Sequence, residues 1–290
     1  MKINNVNDYN NLLKDKLTMV IQTCDKFSDL WEGHFKLLNK NWEDRQIETL
    51  LVTDEKTDRK FDKVKVFSAG SGLHMPGRMK EAIDEIKTEY VLLTLDDYFP
   101  INKIDAHKIY RLIEIMEKEN LDYIRLFKGR MKRIKYDGYE ELYKVDLNND
   151  YAVNLYRGIW RKDFLAETVK PKMDIWLYEV SLTYTAREYG ARCAMSDNGE
   201  FKTLDVVRKG KLLNKAADYL EKHDLYHGDR ERISIKEEIR IYIFTLGKRL
   251  LPKKLEEPVK TILRKFGFKF FSDQIKAADL KTKCETGKGE

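Results

Sequence analysis

The stretch Glu89–Pro100, EYVLLTLDDYFP, constrains this chain more than any other. A run of Val and Leu with no charge between Tyr90 and Leu95 predicts a strand buried on both faces, and Asp96 and Asp97 arrive together at its carboxyl end. In open α/β sheets, ligands sit at such edges. Two carboxylates there are costly without a partner, and a hard divalent cation carrying phosphate oxygens is a partner that offsets the cost. A solvated turn accommodates the same residues, because Asp is common in turns for its own hydrogen bonds.

The flanking pattern places the pair in an alternating chain. Leu17 to Thr23 is a first β-rich run, and Phe27 to Leu38 carries Phe27, Leu30, Trp31, Phe35 and Leu38 at helical spacing. Ile47 to Val52 and Lys63 to Phe67 read as further strands, and Met75 to Ile86 as a helix leading into the Glu89 strand. Strands alternating with helices predict a doubly wound, mostly parallel sheet over the first hundred or so residues. Beyond it, Asp105 to Glu119 is helical by pattern. Tyr123–Phe127, Met131–Tyr136, Glu141–Val145 and Ala152–Tyr156 read as short strands of a mixed sheet, separated by Gly138 and the Asn148–Asp150 turn. After a break at Pro171, a helix is expected from an Asp174 cap to Tyr189, with Gly190 as its stop. Lys209–Lys211 reads as a basic loop, and Ala216 to Lys222 as a short helix.

Composition narrows the class. The 290 residues are 42% hydrophobic and 36% charged, enough for a core in one large or two modest domains. No apolar run approaches the roughly 18 residues of a membrane span, and no signal-peptide core precedes the first strand, so a soluble cytoplasmic protein is expected. Cys24, Cys193 and Cys284 are isolated, which argues against a disulfide framework or a zinc site. The net charge of +6 is concentrated: Arg240 to Lys276 holds ten Lys or Arg against three acids, leaving the body near neutral. An anionic partner is therefore expected at this tail. Without a basic groove interleaved with aromatics in the body, nucleic acid is not.

Other motifs keep two readings. SAGSGLHMPGRMK has the Gly72-to-Gly77 spacing of a P-loop. Arg78 replaces its lysine, Met79 its Ser/Thr, and Pro76 removes an amide, so the P-loop reading fails. What remains is a flexible loop, or a pocket loop whose Arg78 meets phosphate or ribose. His34, His74 and His107 lack metal-binding spacing. Glu179, set among Trp176, Leu177, Tyr178 and Val180, is either a helix-surface carboxylate or a desolvated one suited to a general base.

The run IKTEYVLLTLDDYF, with PGRMKEAIDE before it and NLYRGIWRKDFL and MDIWLYEVSL after it, resembles the GT-A type glycosyltransferases of bacterial surface-polysaccharide (capsule and lipopolysaccharide) biosynthesis, related to the large inverting family 2. The likeness spans about Leu17 to Lys211. It departs from the usual Asp-x-Asp signature, since Leu95-Asp96-Asp97 stands in its place. The resemblance implies a GT-A-like α/β fold with helices on both faces of a nucleotide-binding sheet. The catalytic domain would cover 1–230, with a nucleotide-sugar half (17–100) and a mixed-sheet acceptor half (101–215), followed by an amphipathic helical extension (231–290).

It further implies transfer of a sugar from a nucleoside diphosphate, a UDP-sugar being the expected donor, to a hydroxyl of a lipid-linked or growing polysaccharide. Mn²⁺ or Mg²⁺ would be held by Asp97 and Asp96; adjacent strand residues point opposite ways, so one Asp would reach the metal and diphosphate while the other meets the ribose or a neighbouring donor, and Asp97 is favoured as the ligand. Gln22, Thr23, Cys24, Asp54, Arg78 and Asp96 would cradle the nucleotide, and Glu179 would be the base. Arg157, Trp160 and Arg161 are the acceptor candidates. The tail, with Val259, Ile262, Leu263 and Phe266 opposite Lys260, Arg264 and Lys265, would lie on anionic lipid at the inner membrane face through residues 240–276. Two rivals stand beside this reading: a catalytically silent membrane- or saccharide-associated protein of the same fold, and a sugar nucleotidyltransferase. The second lacks the Gly-rich loop it wants after the first strand.

Overall fold

The computed structural model describes residues 6–127, 134–149, 151–170, 175–196 and 198–250, with 258, 259 and 261. The strands are β1 (Leu17–Gln22), β2 (Thr49–Thr53), β3 (Lys65–Ser68), β4 (Tyr90–Leu95), β5 (Tyr98–Pro100), β6 (Tyr123–Arg125), β7 (Lys135–Tyr136), β8 (Tyr139–Lys144), β9 (Gly158–Arg161), β10 (Cys193–Ser196), β11 (Thr203–Asp205), β12 (Val207–Arg208) and β13 (Lys211–Leu212). The helices are α1 (Val6–Lys14), α2 (Trp31–Asn41), α3 (Met75–Ala82), α4 (Ala106–Glu119), α5 (Lys162–Thr168), α6 (Ile175–Tyr189), α7 (Asn214–Lys222) and α8 (Ile235–Leu250). The chain divides into two compact units, Met1–Arg232 and Ile233–Glu290.

Nine strands make one sheet in the order β3-β2-β1-β4-β9-β6-β10-β8-β7. The β3-β2-β1-β4 half is parallel throughout, while β9 runs antiparallel to both β4 and β6, so the second half is mixed. This is the α/β architecture expected from the alternating pattern and from the family resemblance. All six residues of β1 are buried, and alternation sends them to opposite cores. Leu17, Met19 and Ile21 join Tyr90 and Leu92 under α2 and α4, whereas Val20 joins Val91 and Leu93 under α3, α5 and α6. Each fully buried Leu or Ile of this kind contributes about 1.5–3 kcal/mol through water exclusion, which explains why the two central strands carry no polar alternation.

Local signals account for the ends of elements. Asp105 caps α4 by accepting from the Lys108 amide at 3.2 Å. The expected basic loop is a tight hairpin: Lys209 (φ 52°) and Gly210 (φ 79°) both take left-handed conformations between β12 and β13, as a two-residue turn requires. Ala152–Tyr156, expected as a strand, is irregular. Thr183 Oγ1 takes the Val153 amide at 3.1 Å and Asn154 Oδ1 the Tyr156 amide at 3.1 Å, so side chains satisfy the backbone that a ladder would otherwise hold. The strand falls instead at Gly158–Arg161, within a segment read only as acceptor-side from the sequence. The expected Asp174 cap, the Pro171 break, residues 131–133 and most of the amphipathic tail lie outside the described residues.

The last segment of the first unit packs back on α2. Gly33 is where the two meet: a Cβ there would stand 1.9 Å from the carbonyl oxygen of Leu225, and Lys36 Nζ bonds the Asp224 carbonyl at 3.0 Å. Overpacking against backbone has little room to relax. Gly33→Ala is therefore expected to destabilise the protein by about 1–3 kcal/mol, read as a lower urea midpoint at unchanged slope.

Candidate functional site

The chain enters β1, steps outward to β2 and β3, and returns on the other side of β1 as β4, so the carboxyl ends of β1 and β4 flank the point where the winding reverses. A crevice at such a reversal is where open α/β sheets bind ligands. Gln22, Thr23, Asp96 and Asp97 all stand there. The Asp96 amide bonds the Gln22 carbonyl at 3.3 Å, and the Thr23 amide bonds Val52 O at 3.0 Å.

Asp96 is buried and turned toward α2. The Thr23 hydroxyl donates to Asp96 Oδ2, and Trp31 Nε1 donates to Thr23 Oγ1 at 2.8 Å. His34 Nδ1 contacts the Asp96 carbonyl oxygen at 2.9 Å. Burial drives His34 down to about 4, so its ring is neutral. Burial also pushes Asp96 up to about 7, against the opposing hydrogen bonds from Thr23 and Trp31. The side chain is thus an anchored, inward-facing acid.

Asp97 faces a different environment. Its carboxyl is held well above the usual range by burial first, then by the charges of Asp96 and Asp205. Asp205 comes from β11, which pairs with β5, and the Val206 amide bonds the Asp97 carbonyl at 2.9 Å. Arg208 Nη2 meets Asp205 Oδ2 at 2.9 Å and lies within electrostatic reach of Asp97. Asp97 Oδ1 and Gln22 Oε1 are buried polar atoms with no hydrogen-bond partner. Such orphaned acceptors fit a cation or donor groups of a ligand. Among the described residues no three His, Cys, Asp or Glu converge as a complete protein cage.

Of the other nucleotide-cradle candidates, Asp54 accepts from the Asp25 amide at 2.7 Å and the Glu55 amide at 3.0 Å. Burial works against its charge, yet these amides and Arg78 hold it below its usual range. Arg78, buried on α3, lies 4.0 Å from Asp54 and bonds the Leu73 carbonyl at 2.6 Å. Burial, then Asp96 and Asp54, push the Cys24 thiol up, so Cys24 is neutral lining. The structure thus brings Gln22, Thr23, Cys24, Asp54, Arg78, Asp96 and Asp97 together.

Glu179 is one turn into α6. That helix runs down to β10, which is parallel to β6 and, through β9, to β4, so its first turn stands at the same edge as the acid pair. Half-buried, Glu179 is raised by desolvation alone. Arg157 also stands at this edge, before β9, and donates to Thr203 Oγ1 at 2.9 Å.

Two acceptor candidates are corrected. Trp160 is completely buried, its ring 4.4 Å from that of Tyr123 and stacked on Phe164, which closes it to a substrate. Arg161 pairs in register with Tyr90, the first residue of β4, and faces Asp122 at 3.9 Å, so it occupies the opposite edge of the sheet. An open hollow lined by Glu119, Tyr136, Asp137, Lys144 and Arg192 also lies at that far edge, away from the acid pair.

Sequence reasoning missed Asp205, Arg208 and Arg230. Arg230 grips Asp29 with two bonds of 2.6 and 2.7 Å and lies within electrostatic reach of Asp96. All three sit over a hundred positions after the acid pair, and the clustering of charge in DVVRKGK hinted at Asp205 and Arg208 alone.

No protein-family model matches the chain, and no curated protein matches it. Some solved structures are similar to it in part, at low identity. Mannosyl-3-phosphoglycerate synthase from Rubrobacter xylanophilus is 13% identical, with a TM-score of 0.47 over 78% of this chain and 80% of that one. The mannosyltransferase PcManGT from Pyrobaculum calidifontis, in complex with GDP-Man and Mn²⁺, is 11% identical, with a TM-score of 0.46 over 67% of this chain and 58% of that one. TarS of S. aureus is 16% identical, with a TM-score of 0.44 over 65% of this chain. The chain spans only 37% of that TarS structure and 59% of a shorter one. A UDP-glucose pyrophosphorylase, 10% identical, is also similar.

The elevated Asp96 has a thermodynamic consequence. Its folded value of about 7 exceeds the unfolded value near 4, so its contribution to stability is full below the unfolded value and is lost as pH rises through about 7. In chelator-treated protein, urea stability is expected to fall between about pH 4 and about pH 7. Asp96→Asn should flatten that fall, and an unchanged pH slope in the variant would refute the assignment.

Proposed function

We propose that the protein is a glycosyltransferase that moves a sugar from a nucleoside-diphosphate donor, a UDP-sugar in the first instance, to a saccharide hydroxyl with inversion. The observation that carries this reading is the acid pair at the strand-order reversal, with Asp96 anchored inward by Thr23 and Asp97 left with an unpartnered oxygen. Asp54 and the turn after β1 supply a ribose- and base-binding wall, and Arg78 a cation beside it. Asp97, backed by Asp96, would hold Mn²⁺ or Mg²⁺, which when bound neutralises charge on the leaving diphosphate.

In the transfer step the acceptor oxygen bonds to the anomeric carbon from the face opposite the diphosphate. The carbon–oxygen bond to phosphate breaks with its electron pair, and the acceptor proton passes to Glu179. Desolvation, which raises Glu179, suits it to accept that proton. Arg208 and Arg230 add positive charge near the two acids, where negative charge accumulates as the diphosphate departs.

The second unit supports attachment of this enzyme to an anionic membrane. No described helix is long and apolar enough to cross a bilayer. Along α8, however, Ile235, Ile239, Tyr242 and Ile243 are more than half exposed and share one face, and the charge excess of residues 240–276 lies in the same unit. A lipid-linked acceptor would be met at such a surface.

Thermal shift with a panel of UDP- and GDP-sugars, with and without Mn²⁺, is expected to find a donor that stabilises the protein more when the ion is present. With that donor, Asp97→Asn and Glu179→Gln should each lower transfer by about 10²–10⁴-fold. Wild-type transfer in either variant, or no binding of any nucleotide sugar, would sink the assignment, and donor binding without transfer would mark a silent relative. Separately, the full chain should co-sediment with anionic vesicles while a chain ending at Arg232 does not. Equal binding by the two would refute the membrane role.

A further inference from the structure

One face of α2 holds the turn that carries the acid pair. At 3.6 residues per helical turn, Trp31, His34 and Asn41 lie within about 80° of one another around the helix. Each has a place on the chain between the end of β4 and the end of β5. Trp31 reaches the Asp96 carboxylate through Thr23, His34 Nδ1 lies 2.9 Å from the Asp96 carbonyl oxygen, and Asn41 Nδ2 donates to the Pro100 carbonyl at 2.8 Å. Between those contacts the Phe99 ring meets the His34 ring edge to face, with centroids 5.3 Å apart, and both side chains are completely buried.

Of these contacts, the one made by His34 bears on Asp97. A carbonyl oxygen only accepts, so His34 Nδ1 carries the hydrogen and donates it. That carbonyl belongs to the peptide plane that also contains the nitrogen and Cα of Asp97. The next plane is held as well, because the Asp97 carbonyl accepts from the Val206 amide at 2.9 Å. His34 on one side and Val206 on the other therefore fix both backbone dihedrals of Asp97, and with them the direction in which its side chain leaves the chain. The Asp96 carboxylate is already held by Thr23, whereas Asp97 Oδ1 has no hydrogen-bond partner and depends on the backbone that carries it. The other ring nitrogen of His34 is buried and makes no hydrogen bond among the described residues. A buried acceptor left unmet is costly, and an apolar residue in the same space would avoid that cost, so the bond to Asp96 is what distinguishes histidine here.

We propose that His34 is the positioning residue of the acid pair: by holding the Asp96–Asp97 peptide plane against α2, it sets the direction in which Asp97 presents its unpartnered oxygen to a divalent cation. His34 touches neither ion nor substrate in this role and acts through the backbone of Asp96. The inference rests on the reading of Asp97 as the cation's ligand in the proposed transferase.

The test titrates the full chain with Mn²⁺ alone and with Mn²⁺ in the presence of UDP, following the free ion by electron paramagnetic resonance. Wild-type protein should bind the ion, and Asp97→Asn should abolish that binding. His34→Phe keeps a buried ring without the donor and should weaken binding about 10–100-fold, as expected when a group that orients a metal ligand is removed. His34→Asn, whose side-chain amide can donate to the same carbonyl, should stay within about threefold of wild type. Ile113→Val thins the apolar cluster under α2 and α4, so it should lower the urea midpoint and leave Mn²⁺ affinity unchanged, which separates aim from stability. His34→Leu is read like His34→Phe and keeps the test decisive should that variant not fold. Wild-type affinity in the Phe and Leu variants, an equal loss in His34→Asn, or an equal loss in Ile113→Val would overturn the role of His34 while leaving the ion at Asp97. Wild-type affinity in Asp97→Asn, or no Mn²⁺ bound by the wild type under either condition, would remove the cation site of the transferase reading and the role of His34 with it.

Discussion

Everything at the site depends on β1 and β4 being buried on both faces while lying side by side. Because their side chains are consumed by two separate cores, neither strand carries a charged residue, and Thr18 and Thr94 are fully buried within them. Polar groups therefore appear abruptly where the strands end, as Gln22 and Thr23 on one and Asp96 and Asp97 on the other. Parallel pairing brings those ends to the same edge. A charged group inside either strand would meet a desolvation penalty of several kcal/mol, which leaves the edge as the only place these strands can present acids.

At the edge the two acids divide their tasks because their surroundings differ. Asp96 is committed to the fold: Thr23 donates to it, Trp31 fixes Thr23, and His34 holds the backbone beside it. Asp97 keeps an oxygen without a partner and has Asp205 for a neighbour, so its environment favours a cation. The loop after β1 is pinned from outside as well. Arg230 bonds both oxygens of Asp29 and lies over the Phe27 ring, and Tyr226 shares the same carboxylate. Charge-assisted bidentate contacts of this kind are stronger than neutral hydrogen bonds, and this one ties the end of the first unit to the segment that leads from the acid pair's neighbour Thr23 into α2.

Much of this is legible in the order of residues along the chain. The β1 and β4 runs, the helices after β1 and before β4, and the position of the acid pair follow from period and composition, since doubly buried strands admit no other pattern. The Gly190 stop of α6 and the start of α4 at Asp105 are equally plain, because the signals that begin and end helices are local chemistry. Legibility ends where a residue's meaning depends on what lies opposite it. The sequence leaves Trp160 open between an acceptor contact and a core residue beside surface arginines, and antiparallel pairing with β4 and β6 decides for the core and carries Arg161 to the far edge. Ala152–Tyr156 has strand composition, yet Thr183 and Asn154 satisfy its amides.

The sequence alone determined that the first hundred or so residues of this chain build a mostly parallel α/β sheet and deliver two adjacent carboxylates to its edge, because burial on two faces and the hydrogen bonding of helix ends are properties of consecutive residues. Tertiary structure decided which carboxylate turns inward and that Asp205, Arg208 and Arg230 return to the same edge. Those facts depend on strand order and direction, which set the distance between residues over a hundred positions apart and leave no periodic trace in the chain.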